Sequence, residues 1–205
     1  MRGTKIIIKL SFMALVLSML SGCVFKDQKI EVEYESDNIK AHQIGIVCLN
    51  KFSDNRRVKQ RIGVVKNGYG METANVLTDQ DITIVISKAI KKELNNLGYE
   101  VKLINVDFGE GIKSYQGCDV VDGSIKNFFV EPIMKFTEIE DRAIITVDIL
   151  VQTEAGKEFK KTYSANGKSF SNLGVTARLA KEAMDKALQN IILDIKADIP
   201  KIMEQ

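Results

Sequence analysis

Apolar residues recur along two segments at the spacing of an amphipathic helix. Between residues 82 and 97 they occur every three or four positions and form one face. Thr78 or Asp79 can cap the amino end, and Gly98 stands where a glycine commonly ends a helix. The second segment covers roughly residues 175–197, and Pro200 is expected to end it. The pattern therefore predicts two helices, each with one buried face.

Five further segments have the length and the apolar pattern of β-strands. The clearest has an apolar side chain at every second position, and a turn at Gly156 leads from it into the last one. Between the first strand and the first helix, residues 52–77 contain several glycines and have no clear period, which predicts a long loop or an irregular hairpin. The strand segments are residues 44–49, 99–104, 119–130, 143–152 and 159–165.

The order of these elements is strand, helix, strand, a meander of three strands, and helix. Helices with one apolar face can pack on one side of an alternating sheet and leave its other side in water. We therefore predict one α+β domain over residues 43–205. It has two layers, a mostly antiparallel sheet of about five strands with two amphipathic helices on one face.

Composition adds that the net charge is unevenly distributed. The chain has 205 residues, of which 45% are hydrophobic and 27% charged, with a formal net charge of +2. Three of its 29 bases and none of its acids lie in residues 1–22, which leaves 26 bases against 27 acids from residue 23 onward. The chain from residue 23 onward thus has almost no net charge. This argues against nucleic acid as a partner, because binding nucleic acid requires a concentrated positive field.

The first 22 residues have the three parts of a secretory signal peptide. Basic residues precede an apolar run from Leu10 to Leu20, and the small residues Ser21 and Gly22 follow it. The apolar run is too short for a transmembrane helix of ~20 residues. The sequence Leu20-Ser21-Gly22-Cys23 resembles a bacterial lipobox. The alternatives are an ordinary signal peptide followed by an unrelated cysteine, or a short uncleaved membrane helix.

The lipobox resemblance implies cleavage before Cys23, a diacylglyceryl group on its thiol and a further acyl chain, such as palmitate, on its amino group. Two or three acyl chains hold a protein stably on a membrane, whereas a single acyl chain holds it only weakly. Val24 is not the aspartate associated with retention at the inner membrane, so we expect the outer membrane, facing the periplasm, in a diderm host. Residues 23–42 are then the lipidated N-terminus and a tether.

The sequence contains few of the residues that enzymatic chemistry requires. His42 is the single histidine and lies in the predicted tether, so a Ser-His-Asp or Cys-His arrangement is not indicated. One histidine and three cysteines, one of them in the lipobox, give no zinc-ligand spacing. No phosphate-binding or dinucleotide-binding glycine motif is present. We predict no metal, no cofactor and no enzymatic activity.

Two cysteines remain in the exported part of the chain, Cys48 and Cys118. Both fall at or near predicted strands, so they can form one disulfide between the first strand and the meander. The alternative is two free thiols that pack as small buried hydrophobic side chains.

The most unusual segment is a basic loop over residues 54–66. Asp54 is followed by Arg56, Arg57 and Arg61, and glycines come shortly after them. Arginines can hold a phosphate, an acidic glycan or an acidic partner through bidentate contacts. The alternative is a solvated loop in which the aspartate pairs with an arginine. Asp54, Arg56, Arg57 and Arg61 are the candidate binding residues.

The same residues carry a family resemblance. The lipobox, the strand at 44–49, Asp54-x-Arg56 with Ile62-Gly63 after it, and the helix that ends at Leu97-Gly98-Tyr99 together resemble the YajG family of bacterial lipoproteins. The resemblance covers about residues 44–195. It implies an envelope lipoprotein with a small α+β domain and supplies no catalytic residues.

Together these features predict a non-enzymatic, lipid-anchored protein of the bacterial cell envelope. We expect the domain to act as a binding, accessory or assembly component for another envelope protein. The alternative is a periplasm-facing module that binds an anionic glycan or lipid headgroup through the basic loop 54–66.

Overall fold

A mixed sheet of nine strands and two helices make up the part of the chain that the computed structural model describes, which is residues 26–36, 41–106, 117–134, 138–172 and 177–203. The helices are α1 (Ile82–Asn96) and α2 (Ala177–Met203). Pro200 lies inside α2, so the prediction that it ends this helix is wrong; the proline is in the last turn, where it removes only one helical hydrogen bond. The strands are β1 (Gln28–Lys29), β2 (Gly45–Asn50), β3 (Ser53–Asp54), β4 (Gly63–Lys66), β5 (Glu72–Leu77), β6 (Tyr99–Ile104), β7 (Asp119–Met134), β8 (Ile139–Gln152) and β9 (Glu158–Ser171).

The long strand β7 organises the sheet. On one side it pairs antiparallel with β8, which in turn pairs antiparallel with β9. On its other side it pairs in parallel with three strands in succession, β2 at Asp119, β3 at Ser124 and β4 at Val130. β6 lies beside β2 in parallel, while β5 lies antiparallel beside β4 and carries β1 at its outer edge.

The α+β class is correct, but the predicted sheet of about five mostly antiparallel strands is wrong in number and direction. The structure has nine strands, and β2, β3 and β4 all run parallel to β7. β1 and β3 contain only two residues each, too few to show a period in the sequence. Residues 52–77 include β3 and a hairpin made by β4 and β5, which corresponds to the second of the two alternatives for that segment.

Local side chains determine where α1 begins and ends. Asp81, rather than the predicted Thr78 or Asp79, caps the helix, since its Oδ1 accepts hydrogen bonds from the Thr83 backbone N–H at 2.9 Å and from the Thr83 hydroxyl at 2.6 Å. At the other end Gly98 has a φ of +98°, and a Cβ there would lie 2.1 Å from the carbonyl oxygen of His42. Glycine is therefore required where the helix turns into β6.

One continuous core lies between the sheet and the two helices. The inward side chains of β7, β8 and β9 pack against α2, while α1 packs against β2, β3 and β6. The alternation predicted for the clearest strand is present in β8, where every second residue from Ala143 to Val151 is buried. Most of the hydrophobic free energy of folding therefore comes from one layer of contacts.

The segment at residues 26–36 differs from the predicted tether. Gln28 and Lys29 pair with β5, and Ile30 and Val32 are buried in the core. The backbone N–H of Val32 donates to the Oε1 of Gln80 at 2.7 Å. This segment is therefore part of the folded domain rather than a free tether. No helix in the described ranges is long and apolar enough to cross a membrane.

Candidate functional site

The basic loop is built around an ion pair between neighbouring residues. Nε of Arg56 donates to Oδ1 of Asp54 at 3.0 Å, and its second terminal nitrogen donates to Oδ2 at 3.1 Å. The Arg56 and Asp54 side chains are only 8% and 21% exposed. This bidentate arrangement is the strong form of an arginine–carboxylate contact.

The pair also closes the loop on itself. The Arg56 backbone N–H donates to Asp54 Oδ1 at 3.1 Å, and the Arg56 guanidinium reaches the carbonyl of Arg61 at 3.4 Å. Burial raises the pKa of Asp54, but the hydrogen bonds and positive charge of Arg56 outweigh it, so the pKa lies below its usual range. Asp54 is therefore charged at neutral pH and binds Arg56 within the loop, while the backbone of β3 pairs with β7.

Arg61 is paired as well. Its guanidinium donates to Glu72 at 2.9 Å and to the side-chain oxygen of Asn75 at 3.0 Å, both on β5. Of the four candidate binding residues, the structure therefore brings Asp54, Arg56 and Arg61 into internal contacts. Arg57 is exposed at the surface of the loop. The charge that the loop offers to a ligand is smaller than its sequence suggests.

The tip of the β4–β5 hairpin presents two exposed apolar side chains on a structured turn. The Asn67 side-chain oxygen accepts hydrogen bonds from the backbone N–H groups of Tyr69 and Met71, each at 3.0 Å. Gly70, with a φ of +79°, allows the chain to reverse. Tyr69 is 91% exposed and Met71 is also exposed. The sequence showed the glycines of this turn but not the exposure of its side chains.

Cys48 and Cys118 form a disulfide, with Cα atoms 5.8 Å apart. Cys48 lies in β2 and Cys118 immediately precedes β7, so the bond joins two neighbouring strands. Both residues are buried against Val120 in a small apolar cluster that is separate from the main core. Cys23, the predicted lipidation site, lies outside the described residues.

The described chain contains buried carboxylates, of which Asp141 is the most deeply buried. Asp141 is 0% exposed, has no hydrogen-bond partner in the described chain, and shares the helix-covered face of β8 with Ala143. Burial, with a smaller contribution from Glu182, raises its pKa to about 7. The described ranges hold no cluster of three or more His, Cys, Asp or Glu side chains suited to a metal ion.

Glu93 is another buried acid, and its contacts are structural. It accepts a hydrogen bond from the Tyr34 hydroxyl at 2.8 Å and another from Ser36, and it pairs with Lys196. Burial raises the pKa of Glu93, but these partners outweigh it and hold the pKa below its usual range. The carboxylate therefore joins the N-terminal segment, α1 and α2.

A groove between α1 and the end of β6 was not predicted. Its volume is about 390 Å³. Its lining residues come from three separate parts of the chain, so no sequence motif marks them. They are Lys51, Ile84, Ser87, Lys88, Lys91, Leu103, Ile104 and Asn105.

Comparison with protein families shows which family this domain belongs to. A family described as uncharacterized lipoproteins matches residues 38–201, from the predicted tether to the last turn of α2. The chain belongs to this family, which confirms the resemblance to the YajG lipoproteins. It is thus a member of a bacterial lipoprotein family. No curated protein matches the chain significantly.

Solved structures share the fold. A protein from Xanthomonas campestris is similar with a TM-score of 0.55 and 10% identity, over 83% of this chain and 91% of that one. A homolog of a neuraminyllactose-binding hemagglutinin from Helicobacter pylori is similar with a TM-score of 0.50 and 13% identity, over 85% of this chain and 95% of that one. At these identities the likeness concerns the fold alone.

Proposed function

We propose that this protein is a lipid-anchored, non-enzymatic accessory component of the bacterial envelope that binds another envelope protein through the tip of its β4–β5 hairpin. The single observation that supports the contact is the exposure of Tyr69 and Met71 on a turn fixed by Asn67. Tyrosine is enriched among the residues that dominate binding energy, and a rigid turn loses little conformational entropy on binding.

Membership in a lipoprotein family and the lipobox at Cys23 support the anchor. Acyl chains on Cys23 would confine the domain to a membrane surface, with the outer membrane, facing the periplasm, as the proposed location. Confinement raises the effective concentration of the domain near an envelope partner, so a small contact surface can suffice.

The binding of an anionic glycan or headgroup by the loop at residues 54–66 is less well supported. Arg56 and Arg61 are occupied by Asp54 and Glu72, and only Arg57 among the candidate arginines is free of such a partner in the described chain. A ligand would have to displace ion pairs that also hold the loop together.

The anchor is tested by replacing Cys23 with serine in the full chain. The variant should leave the membrane fraction and appear as a soluble envelope protein, because its thiol can no longer receive lipid. Fractionation followed by immunoblotting measures this. Continued membrane association of the variant would contradict the anchor.

The contact is tested with a photo-crosslinking amino acid at Tyr69 in intact cells. A matched control carries it at Leu193, another exposed apolar residue, which lies on α2. We expect a discrete crosslinked protein from Tyr69 and none from Leu193. Equal products from both positions, or no product from Tyr69, would exclude the hairpin tip as the binding surface.

A further inference from the structure

The groove between α1 and β6 has an aliphatic floor that reaches the surface. It is made by Ile84 and Leu103, while Ile104, which also lines the groove, packs on the opposite face of β6 with Cys48 and Cys118. Leu103 lies on the same face of β6 as Tyr99 and Val101, which are buried, yet Leu103 itself is 60% exposed. The groove thus continues the core outward, and its volume of about 390 Å³ lies within the range of small-molecule sites, roughly 300–1,000 Å³.

Three lysines surround this floor, and none of the described residues that line the groove is acidic. Lys51 pairs with Asp81 at 3.5 Å, outside the lining. Lys88 and Lys91 have no ion-pair partner in the described chain. Positive side chains above an apolar surface complement a molecule that combines an apolar body with an anionic group.

A buried hydroxyl gives an independent indication of a ligand. Ser87 lines the groove and is 8% exposed, and its Oγ is buried without a hydrogen-bond partner among the described residues. Buried hydroxyls are nearly always hydrogen-bonded, because leaving one unpaired costs free energy. An anionic oxygen in the groove would supply the missing acceptor.

We propose that this groove binds a single-chain anionic amphiphile, with its acyl chain on the aliphatic floor and its headgroup among the three lysines and the Ser87 hydroxyl. A peptide fits less well, because its backbone amides would need partners that an aliphatic floor does not provide. The proposal does not depend on the hairpin tip, so the two surfaces can be tested separately.

Calorimetric titration with dodecanoate below its micelle concentration tests the site. The protein is the chain from residue 23 onward with Cys23→Ser, which keeps every described residue. Dodecanoate should bind at one saturable site. Acetate, which lacks the chain, and dodecyl maltoside, which lacks the charge, should each bind about tenfold more weakly or worse.

Two variants in the groove and one beside it locate the binding. Leu103→Asp, and Lys88→Glu together with Lys91→Glu, should each weaken dodecanoate binding by about tenfold or more, because they place negative charge beside the chain or the headgroup. Lys102→Glu reverses the charge of one lysine at the neighbouring exposed residue of β6, outside the groove, and should change affinity by less than about twofold.

Thermal unfolding by circular dichroism confirms that each variant is folded, and Leu103→Ser replaces Leu103→Asp if the latter is not. The proposal is overturned if dodecanoate shows no saturable binding, if Lys102→Glu weakens binding as much as the groove variants, or if an acidic peptide binds the groove more tightly than dodecanoate.

Discussion

Two basic regions of this protein show how differently charge can be used on one fold. In the loop at residues 54–66, Arg56 and Arg61 lie close together in the sequence, and both are paired with carboxylates. In the groove between α1 and β6, Lys88 and Lys91 have no acidic partner in the described chain. The first region uses its charge to hold its own backbone, and the second leaves it available. A concentration of basic residues along a sequence therefore does not by itself indicate a binding surface.

The largest expected loss of stability comes from breaking the buried ion pair of the loop. Arg56→Met should lower the free energy of unfolding by about 3 kcal/mol, because it leaves Asp54 charged, largely buried and unpaired. Arg57→Met, an identical change at the exposed neighbour, should alter it by less than about 0.5 kcal/mol. Urea unfolding of both variants measures the difference.

Replacing both partners tests the pair itself. Asp54→Leu combined with Arg56→Met should be more stable than Arg56→Met alone, since no uncompensated charge remains. If Arg56→Met is as stable as Arg57→Met, the charge of the loop is not structural, and the contrast between the two regions disappears.

Asp141 sharpens the comparison, because it is a buried carboxyl group with no hydrogen-bond partner in the described chain. Its pKa in the folded protein is about 7, above the usual value of 3.8, so the folded state binds the proton more tightly than the unfolded state. The stabilising contribution of the protonated acid is fully present below about pH 4 and is lost as pH rises toward about 7.

Asp141→Asn should therefore stabilise the protein at pH 8, by about 2–4 kcal/mol, and change its stability little at pH 4. Unfolding measured at both pH values gives the difference. An equal effect at both would show that the carboxylate does not titrate in this range.

A smaller effect is expected at the outer ion pair of the loop. Arg61→Gln removes the contact to Glu72, which is half exposed, so stability should fall by about 0.5 kcal/mol. The same measurement at high salt should reduce the difference between variant and parent. A loss above about 2 kcal/mol would place Arg61, like Arg56, in the structural framework of the loop.

The smallest effect is expected in the groove. Lys88→Gln and Lys91→Gln remove charges that have no ion-pair partner in the described chain, so the free energy of unfolding should change by less than about 0.5 kcal/mol. Urea unfolding of the two variants checks this. A clear loss of stability would show that these lysines are structural, and the two basic regions would then use their charge in the same way.

Much of the secondary structure can be predicted from the sequence, because it follows from local patterns of apolar residues. The buried faces of α1 and α2 and the alternation of β8 follow from periodic apolar residues. The parallel pairing of β2, β3 and β4 with β7 was not predicted, because it joins segments that are far apart in the chain and no turn specifies it.

Of the two candidate sites, only the loop at residues 54–66 could be recognised from local sequence. The pair of Asp54 and Arg56 was recognisable, because the two residues are only two positions apart in the sequence. An ion pair between the aspartate and an arginine was one of the two alternatives for this loop. The groove was not recognisable, since Lys51, Lys88 and Leu103 come from different elements and each has an ordinary sequence environment.

The sequence by itself determined the lipoprotein family, the two helices and the α+β class, because motifs and periodicity act over short distances. Only the tertiary structure decided which charges are neutralised and which are free. It did so by placing Glu72 beside Arg61 and by leaving Lys88 and Lys91 in the groove without such a neighbour in the described chain. Net charge, near zero from residue 23 onward, is a sum over the chain, whereas binding depends on where the fold puts each charge.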